Sequence, residues 1–324
     1  MKIIFLGTRK LGYFGLKELI QQKHQILAIF TLDYDIKEGY DSKDFKKIAD
    51  ENKIPFYLTE NINNPEHVNL FKKLGPDLII SLYWKRLLGD DIIRTARKGA
   101  VNIHYSLLPK YRGFAPVNWA VINNEKKAGV TLHYVNPGIA DDGDIIAQKP
   151  FPIKEKDTID DLYEKGNKIA LDFVKKYIPL IEKNKEPRIK QKDKDALCSF
   201  ARIPGDGMID WKKSAKEIYN LIRAVTKPYP GAFTYCNNKK LYIWKADIVK
   251  DPIKYLGANG QVIRIIKGKG VQVLTGEGII FLEIIQPENG KEINAGDYFK
   301  SIKTRLGYDV IEEIEKIKKR LNIE

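Results

Sequence analysis

Three polar side chains between residues 102 and 141 could together move protons around a carbonyl group. Asn102 and His104 stand two residues apart at the end of an apolar stretch, and Asp141 belongs to an Asp-Asp-Gly turn. Side chains two apart on a β-strand point to the same face, so this spacing predicts that the amide and the imidazole project together. An amide can stabilise an oxyanion, and a carboxylate can orient an imidazole that transfers protons. The pattern therefore indicates acid–base or acyl-transfer chemistry.

Each of these residues also has an ordinary structural explanation. A lone Asn-x-His at a strand end is commonly a hydrogen-bonded pair, and Asp-Asp-Gly is a frequent turn sequence. A metal site built from His104, His133 and Asp141 is a further alternative. His133 should alternate with Leu132 along its strand, however, which favours a packed or hydrogen-bonded imidazole. We therefore expect no metal.

The surrounding elements predict an α/β domain followed by a β-rich one. Apolar strands alternate with helical patterns from residue 2 onward, which is typical of an open, Rossmann-like sheet. The glycines at positions 7, 12 and 15 lack the Gly-x-Gly-x-x-Gly spacing of a dinucleotide site. Between residues 232 and 285, short β-type segments separated by Gly and Asn turns predict a small, OB-like β-barrel. Helical patterns close the chain.

These patterns divide the chain into two predicted domains. The catalytic domain should span residues 1–184, a charged linker with Pro187 should span 185–199, and the β-barrel domain with its terminal helices should span 200–324. Two cysteines and the lack of a bilayer-length apolar run lead us to expect a cytoplasmic protein without a membrane partner.

The net charge of +14 favours anionic partners such as nucleic acid or a phosphorylated small molecule. A lysine-rich proteome would produce the same excess, so the charge alone does not select a partner.

The stretch from residue 101 to 148 resembles the active-site segment of the formyltransferase family that uses 10-formyltetrahydrofolate. The resemblance rests on three motifs, which are Asn102-x-His104, Ser106-Leu107-Leu108-Pro109 and Asp141-x-Gly143. Further along, Ile209-Asp210-Trp211 and Pro228-Tyr229-Pro230-Gly231 resemble the C-terminal domain of the larger members. The resemblance implies a folate-dependent formyltransferase in which Asn102, His104 and Asp141 are catalytic.

The resemblance also assigns contacts to the co-substrate and to the acceptor. Two loops would hold the pterin of 10-formyltetrahydrofolate. The first contains Arg86, Leu87 and Leu88, and the second contains Pro137, Gly138, Ile139 and Ala140. The candidate acceptor contacts are polar or basic, namely Arg9, Lys10, Ser106, Lys110, Arg112 and Arg202. Each basic residue could equally be a solvated surface charge. In the family an arginine follows the Arg-Gly turn, whereas Phe114 stands there in this chain.

Two acceptors fit this resemblance. The sequence looks most like the sugar-nucleotide N-formyltransferases, in particular the domain that acts on UDP-4-amino-4-deoxy-L-arabinose, so a nucleotide-linked amino sugar is the leading acceptor. The alternative is methionyl-tRNA formyltransferase, which usually carries a basic loop after the second strand. Here residues 33–41 hold four acidic side chains against one lysine, and these would repel a phosphate backbone. Transfer RNA is thus a partner only under the alternative, and the chain could act as a homodimer.

Two other functions stay open. Water could replace the amine on the same three residues, which would make the protein a 10-formyltetrahydrofolate hydrolase. A non-enzymatic RNA-binding module would rest on the basic charge and the β-barrel. Against it, the sequence shows no row of exposed aromatic residues interleaved with lysines.

Overall fold

The structure, a computed structural model, describes residues 1–33, 40–251, 253–307 and 310–321. It contains two compact units. The first comprises residues 1–117, 126–154 and 161–201, and the second comprises residues 118–125, 155–160 and the described residues from 202 onward. Of the acidic segment 33–41, residues 34–39 lie outside the described part of the chain.

The elements up to residue 199 alternate strands and helices. The strands are β1 (Lys2–Gly7), β2 (Gln25–Thr31), β3 (Phe56–Leu58), β4 (Leu78–Leu82), β5 (Ala100–His104), β6 (Lys110–Gly113), β7 (Lys127–Tyr134), β8 (Ile145–Pro152) and β9 (Leu197–Ser199). The helices are α1 (Arg9–Gln21), α2 (Ser42–Glu51), α3 (Pro65–Leu74), α4 (Asp90–Ile93), α5 (Pro116–Ile122) and α6 (Ile159–Glu182).

The main sheet of the first unit has the strand order β3-β2-β1-β4-β5-β7-β8. Neighbouring strands from β3 to β5 are parallel, while β7 and β8 run antiparallel to their neighbours. The apolar runs of β1 and β4 are almost completely buried, as expected for central parallel strands. Because the chain crosses to the other side of β1 between β3 and β4, the carboxyl ends of β1 and β4 lie at a switch point where such sheets bind ligands.

The segment predicted as a linker makes several contacts within the first unit. β9 pairs in parallel with β6, and Gly113 stands opposite Ser199 in that pairing. Ile189 and Ile145 exchange two backbone hydrogen bonds of 2.8 and 3.0 Å. The segment thus supports the loop that follows His104.

The second unit is built around an antiparallel sheet. Its strands are β10 (Ala232–Cys236), β11 (Lys239–Val249), β12 (Val262–Ile266), β13 (Gly270–Leu274), β14 (Ile279–Pro287) and β15 (Ile293–Asn294), and its further helices are α7 (Ala215–Val225), α8 (Ala295–Tyr298) and α9 (Val310–Leu321). The strand order is β10-β11-β14-β13-β12, with β15 paired to β14. An open, mostly parallel sheet followed by a separate antiparallel one confirms the predicted fold class. None of the helices in the described ranges is both long and apolar enough to cross a membrane.

One face of β10 and β11 carries aromatic rings with lysines against them. Tyr242 and Trp244 stack with ring centroids 5.9 Å apart. Lys240 Nζ lies 4.1 Å from the centroid of Phe233 and 4.8 Å from that of Tyr242. Alternation along β11 already puts Lys240, Tyr242 and Trp244 on one face, which the sequence analysis overlooked, whereas Phe233 joins them only when β10 and β11 pair.

Candidate active site

Strand pairing aligns three polar side chains across β4, β5 and β7. Ser81 pairs with Asn102, and Asn102 pairs with His133. The Ser81 hydroxyl donates a 2.8 Å hydrogen bond to Asn102 Oδ1. This bond turns the amide nitrogen towards β7, where it lies 3.4 Å from His133 Nε2. Ser81 therefore sets the orientation of Asn102, a role that the sequence analysis did not assign.

The Asp141 carboxylate stands at the centre of the site, with its side chain only 13% exposed. Its Oδ2 accepts a 2.9 Å hydrogen bond from the Gly113 backbone N–H and lies 3.3 Å from His104 Nδ1. Its Oδ1 lies 3.3 Å from Asn102 Nδ2 and 3.3 Å from His133 Nε2. The structure thus brings the three predicted catalytic residues together and adds His133 to them.

In both imidazoles one ring nitrogen contacts a backbone carbonyl and the other contacts Asp141. His104 Nε2 lies 2.7 Å from the Tyr111 carbonyl, and His133 Nδ1 lies 2.7 Å from the Tyr134 carbonyl. A carbonyl oxygen only accepts hydrogen bonds, so we assign a hydrogen to each of these nitrogens. A neutral ring then directs a lone pair towards the carboxylate. A proton taken up there would be held by the charge of Asp141.

Burial lowers the pKa of His104, and the nearby His133 acts in the same direction. Asp141 and the Tyr111 carbonyl act to raise that pKa but do not outweigh burial. Asp141 thus acts on the His104 pKa in the direction expected of a neighbouring carboxylate, and burial has the larger effect. Burial also acts to raise the pKa of Asp141, but His104, His133 and the Gly113 N–H together hold it well below its usual range. A charged carboxylate thus faces a neutral His104 at neutral pH.

The Asp-x-Gly motif has a steric reason in this turn. Asp141 adopts a left-handed backbone conformation with φ 57°. A Cβ on Gly143 would lie 1.9 Å from the Tyr134 carbonyl oxygen, so no larger residue fits without moving the backbone. Gly113, whose N–H holds Asp141, has φ 98°, and its Cβ would lie 2.4 Å from the Ser199 carbonyl oxygen.

The two loops predicted to hold the pterin both expose apolar side chains. Leu87 is 61% exposed and Ile139 is 59% exposed, whereas Leu88 is buried in the core of the sheet domain. Arg86 forms an ion pair with Glu60. In the other loop Pro137 and Gly138 are exposed, and Ala140 is half-buried. Exposed apolar side chains of this kind can cover a flat ring.

Arg9 and Lys10 begin α1 at the switch point of the sheet. Arg9 donates a 3.0 Å hydrogen bond to the Tyr83 hydroxyl, and its guanidinium lies 4.8 Å from the centroid of that ring. Lys10 forms a 2.7 Å ion pair with Glu164. Arg9 therefore lies at the ligand-binding edge of the sheet, while the charge of Lys10 is partly compensated.

The candidate acceptor contacts on the loop after His104 differ in exposure. Lys110 is exposed, but Ser106 is buried and its hydroxyl donates to the Lys110 carbonyl. Arg112 is 5% exposed and donates to Gln191 and Asp193 within the first unit. These contacts favour supporting roles for Ser106 and Arg112 over the substrate contacts that we predicted.

Arg202 belongs to the second unit. Its guanidinium lies 4.9 Å from the centroid of the Trp119 ring, and it donates a 2.7 Å hydrogen bond to the Asp206 carbonyl. Burial lowers its pKa, although Asp206 acts to raise it. In the described part of the chain, no group of three or more His, Cys, Asp or Glu side chains could hold a metal ion.

Comparison with known proteins gives three relatives of this chain. The bifunctional polymyxin resistance protein ArnA of Wigglesworthia glossinidia brevipalpis is 40% identical over 282 residues, which cover 86% of this chain and 43% of that protein. This chain therefore spans less than half the length of that curated relative.

Two solved structures share the fold over nearly the whole chain. A sugar 3N-formyltransferase, WlaRD, solved with dTDP and 5-N-formyl-THF, is 25% identical with a TM-score of 0.66, covering 90% of this chain and 99% of that one. The N-formyltransferase from Helicobacter canadensis, in complex with folinic acid and dTDP-3-aminofucose, is 25% identical with a TM-score of 0.68, covering 89% of this chain and 100% of that one.

The match to a described family covers both parts of the chain. Residues 203–303 match the formyl transferase C-terminal domain. Residues 1–176, more than half of the chain, match formyl transferase itself. The resemblance inferred from the sequence is confirmed, and this chain belongs to the formyl transferase family.

Proposed function

We propose that this chain transfers the formyl group of 10-formyltetrahydrofolate to the primary amine of a nucleotide-linked amino sugar. The observation that carries the proposal is the Asp141 carboxylate between Asn102, His104 and His133, at distances of 3.3 Å from each. Acyl transfer from a folate nitrogen to an amine needs a hydrogen-bond donor that stabilises the oxyanion and a group that accepts a proton and returns it. This arrangement offers both.

In the proposed reaction the amine attacks the formyl carbon and forms a tetrahedral intermediate. Asn102 donates its amide N–H to the oxyanion, exchanging a long 3.4 Å contact with His133 for a charged acceptor. The proton that leaves the amine is accepted by a neutral imidazole, and Asp141 stabilises the resulting cation. The proton then passes to the folate nitrogen as its bond to the formyl carbon breaks. The products are a formamide and tetrahydrofolate.

The relatives support both the donor and the acceptor class. WlaRD was solved with dTDP and 5-N-formyl-THF, and the Helicobacter canadensis enzyme was solved with folinic acid and dTDP-3-aminofucose. The sequence resembles the UDP-4-amino-4-deoxy-L-arabinose domain, and the curated relative ArnA is 40% identical. A UDP-linked 4-amino sugar is therefore the first substrate to test, followed by dTDP-linked 4-amino and 3-amino sugars.

The surfaces available to the two substrates agree with this proposal. We place the pterin against the loops that expose Leu87 and Ile139. The net charge of +14 suits a pyrophosphate, and Arg9 and Lys110 of the first unit are the proposed anion contacts. Lys227, which lies over the Trp244 ring of the aromatic row, is ion-paired with Glu292, and this reduces the positive charge that the RNA-binding alternative needs there.

The test is a competition at fixed 10-formyltetrahydrofolate. UDP- and dTDP-linked amino sugars and charged initiator methionyl-tRNA are offered separately, and kcat/KM is measured from tetrahydrofolate release and from the mass of the formylated product. We expect a sugar nucleotide to be preferred. The His104→Ala variant, purified in parallel, controls for a contaminating formyltransferase.

Two outcomes would replace the proposal by a named alternative. Formylation of the tRNA with a much higher kcat/KM than that of every sugar nucleotide would identify a methionyl-tRNA formyltransferase. Folate release at the same rate with and without any amine would identify a hydrolase.

A further inference from the structure

The turn that carries Asp141 is closed by a side chain from a distant part of the chain. Gln191 Nε2 donates two hydrogen bonds of 2.8 Å, one to the Asp141 carbonyl and one to the Gly143 carbonyl. The two acceptors lie on either side of Asp142, so one amide group binds both ends of the Asp-x-Gly motif. Gln191 belongs to the segment that the sequence indicated as a linker.

The Gln191 amide is itself held by Arg112. Arg112 Nε donates a 3.0 Å hydrogen bond to Gln191 Oε1, and its Nη1 donates a 3.0 Å hydrogen bond to Asp193 Oδ1. A guanidinium presents these donors in a rigid plane, and a protonated guanidinium never accepts. The Gln191 oxygen must therefore face Arg112, and its NH2 group must face the turn. Because Gly113 follows Arg112 and donates to Asp141 Oδ2, β6 holds this turn at both its backbone and its carboxylate.

Independent constraints on the turn matter because the contacts of Asp141 with the other three polar side chains of the site are weak. Asp141 has φ 57°, and a non-glycine residue in the left-handed region costs about 1–2 kcal/mol. The contacts from Asp141 to Asn102, His104 and His133 are each 3.3 Å long. The Asn102 hydrogen bond at that length lies beyond the usual optimum, and the two imidazole contacts become ion pairs only when a ring takes up a proton. A small rotation of the turn would break all three contacts.

We infer that Gln191, fixed by Arg112, is a positioning residue that holds the Asp141 carboxylate between the two imidazoles. This inference rests on the proposed formyl transfer for its kinetic consequence, but its structural consequence does not depend on that reaction.

The kinetic test uses Gln191→Ala and Gln191→Glu. Gln191→Glu keeps an acceptor for Arg112 and removes the donor to the two carbonyls. In both variants we expect kcat to fall about 10- to 100-fold, the effect of a misplacement near 1 Å at a catalytic group. KM for the folate and for the sugar nucleotide should change far less, because the Gln191 amide makes its hydrogen bonds to the turn and to Arg112. Gln22→Ala is the matched control, since Gln22 also bridges a side chain and a backbone carbonyl, in this case Glu18 and Lys175.

A second test detects a displacement of Asp141 by NMR and does not depend on enzymatic activity. The chain has only four histidines, so the ring nitrogen NMR signals of His24, His67, His104 and His133 can be assigned with single variants. Gln191→Ala and Gln191→Glu should shift the signals of His104 and His133 and leave those of His24 and His67 in place. A general loss of structure would shift all four signals. Gln191→Glu is included because its carboxylate still accepts a hydrogen bond from Arg112 and should keep the segment folded.

The two tests separate the failure of this inference from failure of the proposed function. If His104 and His133 keep their signals in both Gln191 variants, the positioning role is refuted whether or not the protein transfers formyl groups. If the wild type is active and Gln191→Glu retains its kcat, the donor to the turn is unnecessary and the inference is also refuted. An inactive wild type with shifted His104 and His133 signals would reject the reaction and keep the positioning role.

Discussion

The candidate site joins two regions that are positioned in different ways. Asn102, His104 and His133 stand on paired strands, where the backbone ladder places side chains at fixed intervals. Asp141 stands on a turn, where its place depends on Gly143, on the N–H of Gly113 and on the Gln191 amide. We call these the strand half and the turn half of the site.

The two halves should differ in their sensitivity to substitutions at positions distant in sequence. A strand residue keeps its direction as long as the ladder is intact, so its position is insensitive to most distant substitutions. The turn residue depends on side-chain contacts from sequence positions as far as 50 residues away. We therefore expect the turn half to be disturbed by changes that touch no substrate.

The largest effects should come from removing the polar groups of either half. Asp141→Asn, His104→Ala and Asn102→Ala should each lower kcat by at least about a hundredfold, the lower end for acid–base and oxyanion groups. Steady-state kinetics with the best acceptor measures this.

Asp142→Asn is the neighbouring control for Asp141→Asn and should change turnover little. Asp142 is half-buried, and its Oδ1 has no hydrogen-bond partner within the described residues. An effect of Asp142→Asn larger than that of Asp141→Asn would mean that the catalytic carboxylate is displaced by one residue from our assignment.

The next prediction compares a glycine of the turn half that has no room for a Cβ with a glycine that is special only in its positive φ. Gly143→Ala should destabilise the fold by about 1–3 kcal/mol, as overpacking does, and should also remove most activity. Gly99→Ala, with φ 76° but open space around its Cβ, lies outside the named site and should leave kcat almost unchanged. Urea denaturation and kcat are measured on both variants. Equal loss of kcat in the two would show that the contact with Tyr134 is unimportant.

A smaller effect is expected from the support of the strand half. Ser81→Ala removes one hydrogen bond to Asn102, which is worth about 1 kcal/mol, so kcat should fall by roughly tenfold or less. The free energy of unfolding should change little, and Ser81→Thr, which keeps the hydroxyl, should restore part of the rate. A wild-type kcat in Ser81→Ala would show that strand pairing alone orients the amide.

The smallest effect is a pH dependence of stability. The pKa of His104 is lower in the folded chain, so the unfolded chain binds the proton first and stability should fall as the pH drops below about 6.5. The pKa of Asp141 is also lowered, so its contribution is present above about pH 4 and is lost only below that. Between pH 7 and 5 the Tm should therefore decrease less in His104→Gln than in the wild type.

His24 should contribute to the same pH dependence, since burial also lowers its pKa, so its contribution is removed in a second variant. The double variant His24→Gln, His104→Gln should have the flattest Tm profile between pH 7 and 5. A profile of His104→Gln that is as steep as the wild-type profile would contradict the lowered pKa of His104.

The sequence alone was sufficient wherever a short-range rule applies. Alternation along a strand placed Asn102 and His104 on one face. The resemblance to the formyltransferase motif identified Asp141, two residues before Gly143. Alternating strands and helices predicted the open sheet, and short segments between glycine turns predicted the β-rich second unit. In each case the physical cause acts between residues that are close in the chain.

Tertiary structure decided which residues assist these groups. Ser81 and His133 join Asn102 only through the register of β4, β5 and β7, which no single segment encodes. Gln191 reaches the Asp141 turn because its segment packs against β6, although its composition indicated a linker. The lowered pKa of His104 also depends on tertiary structure, since burial is produced by all the packed elements together and outweighs the charge of Asp141 beside it.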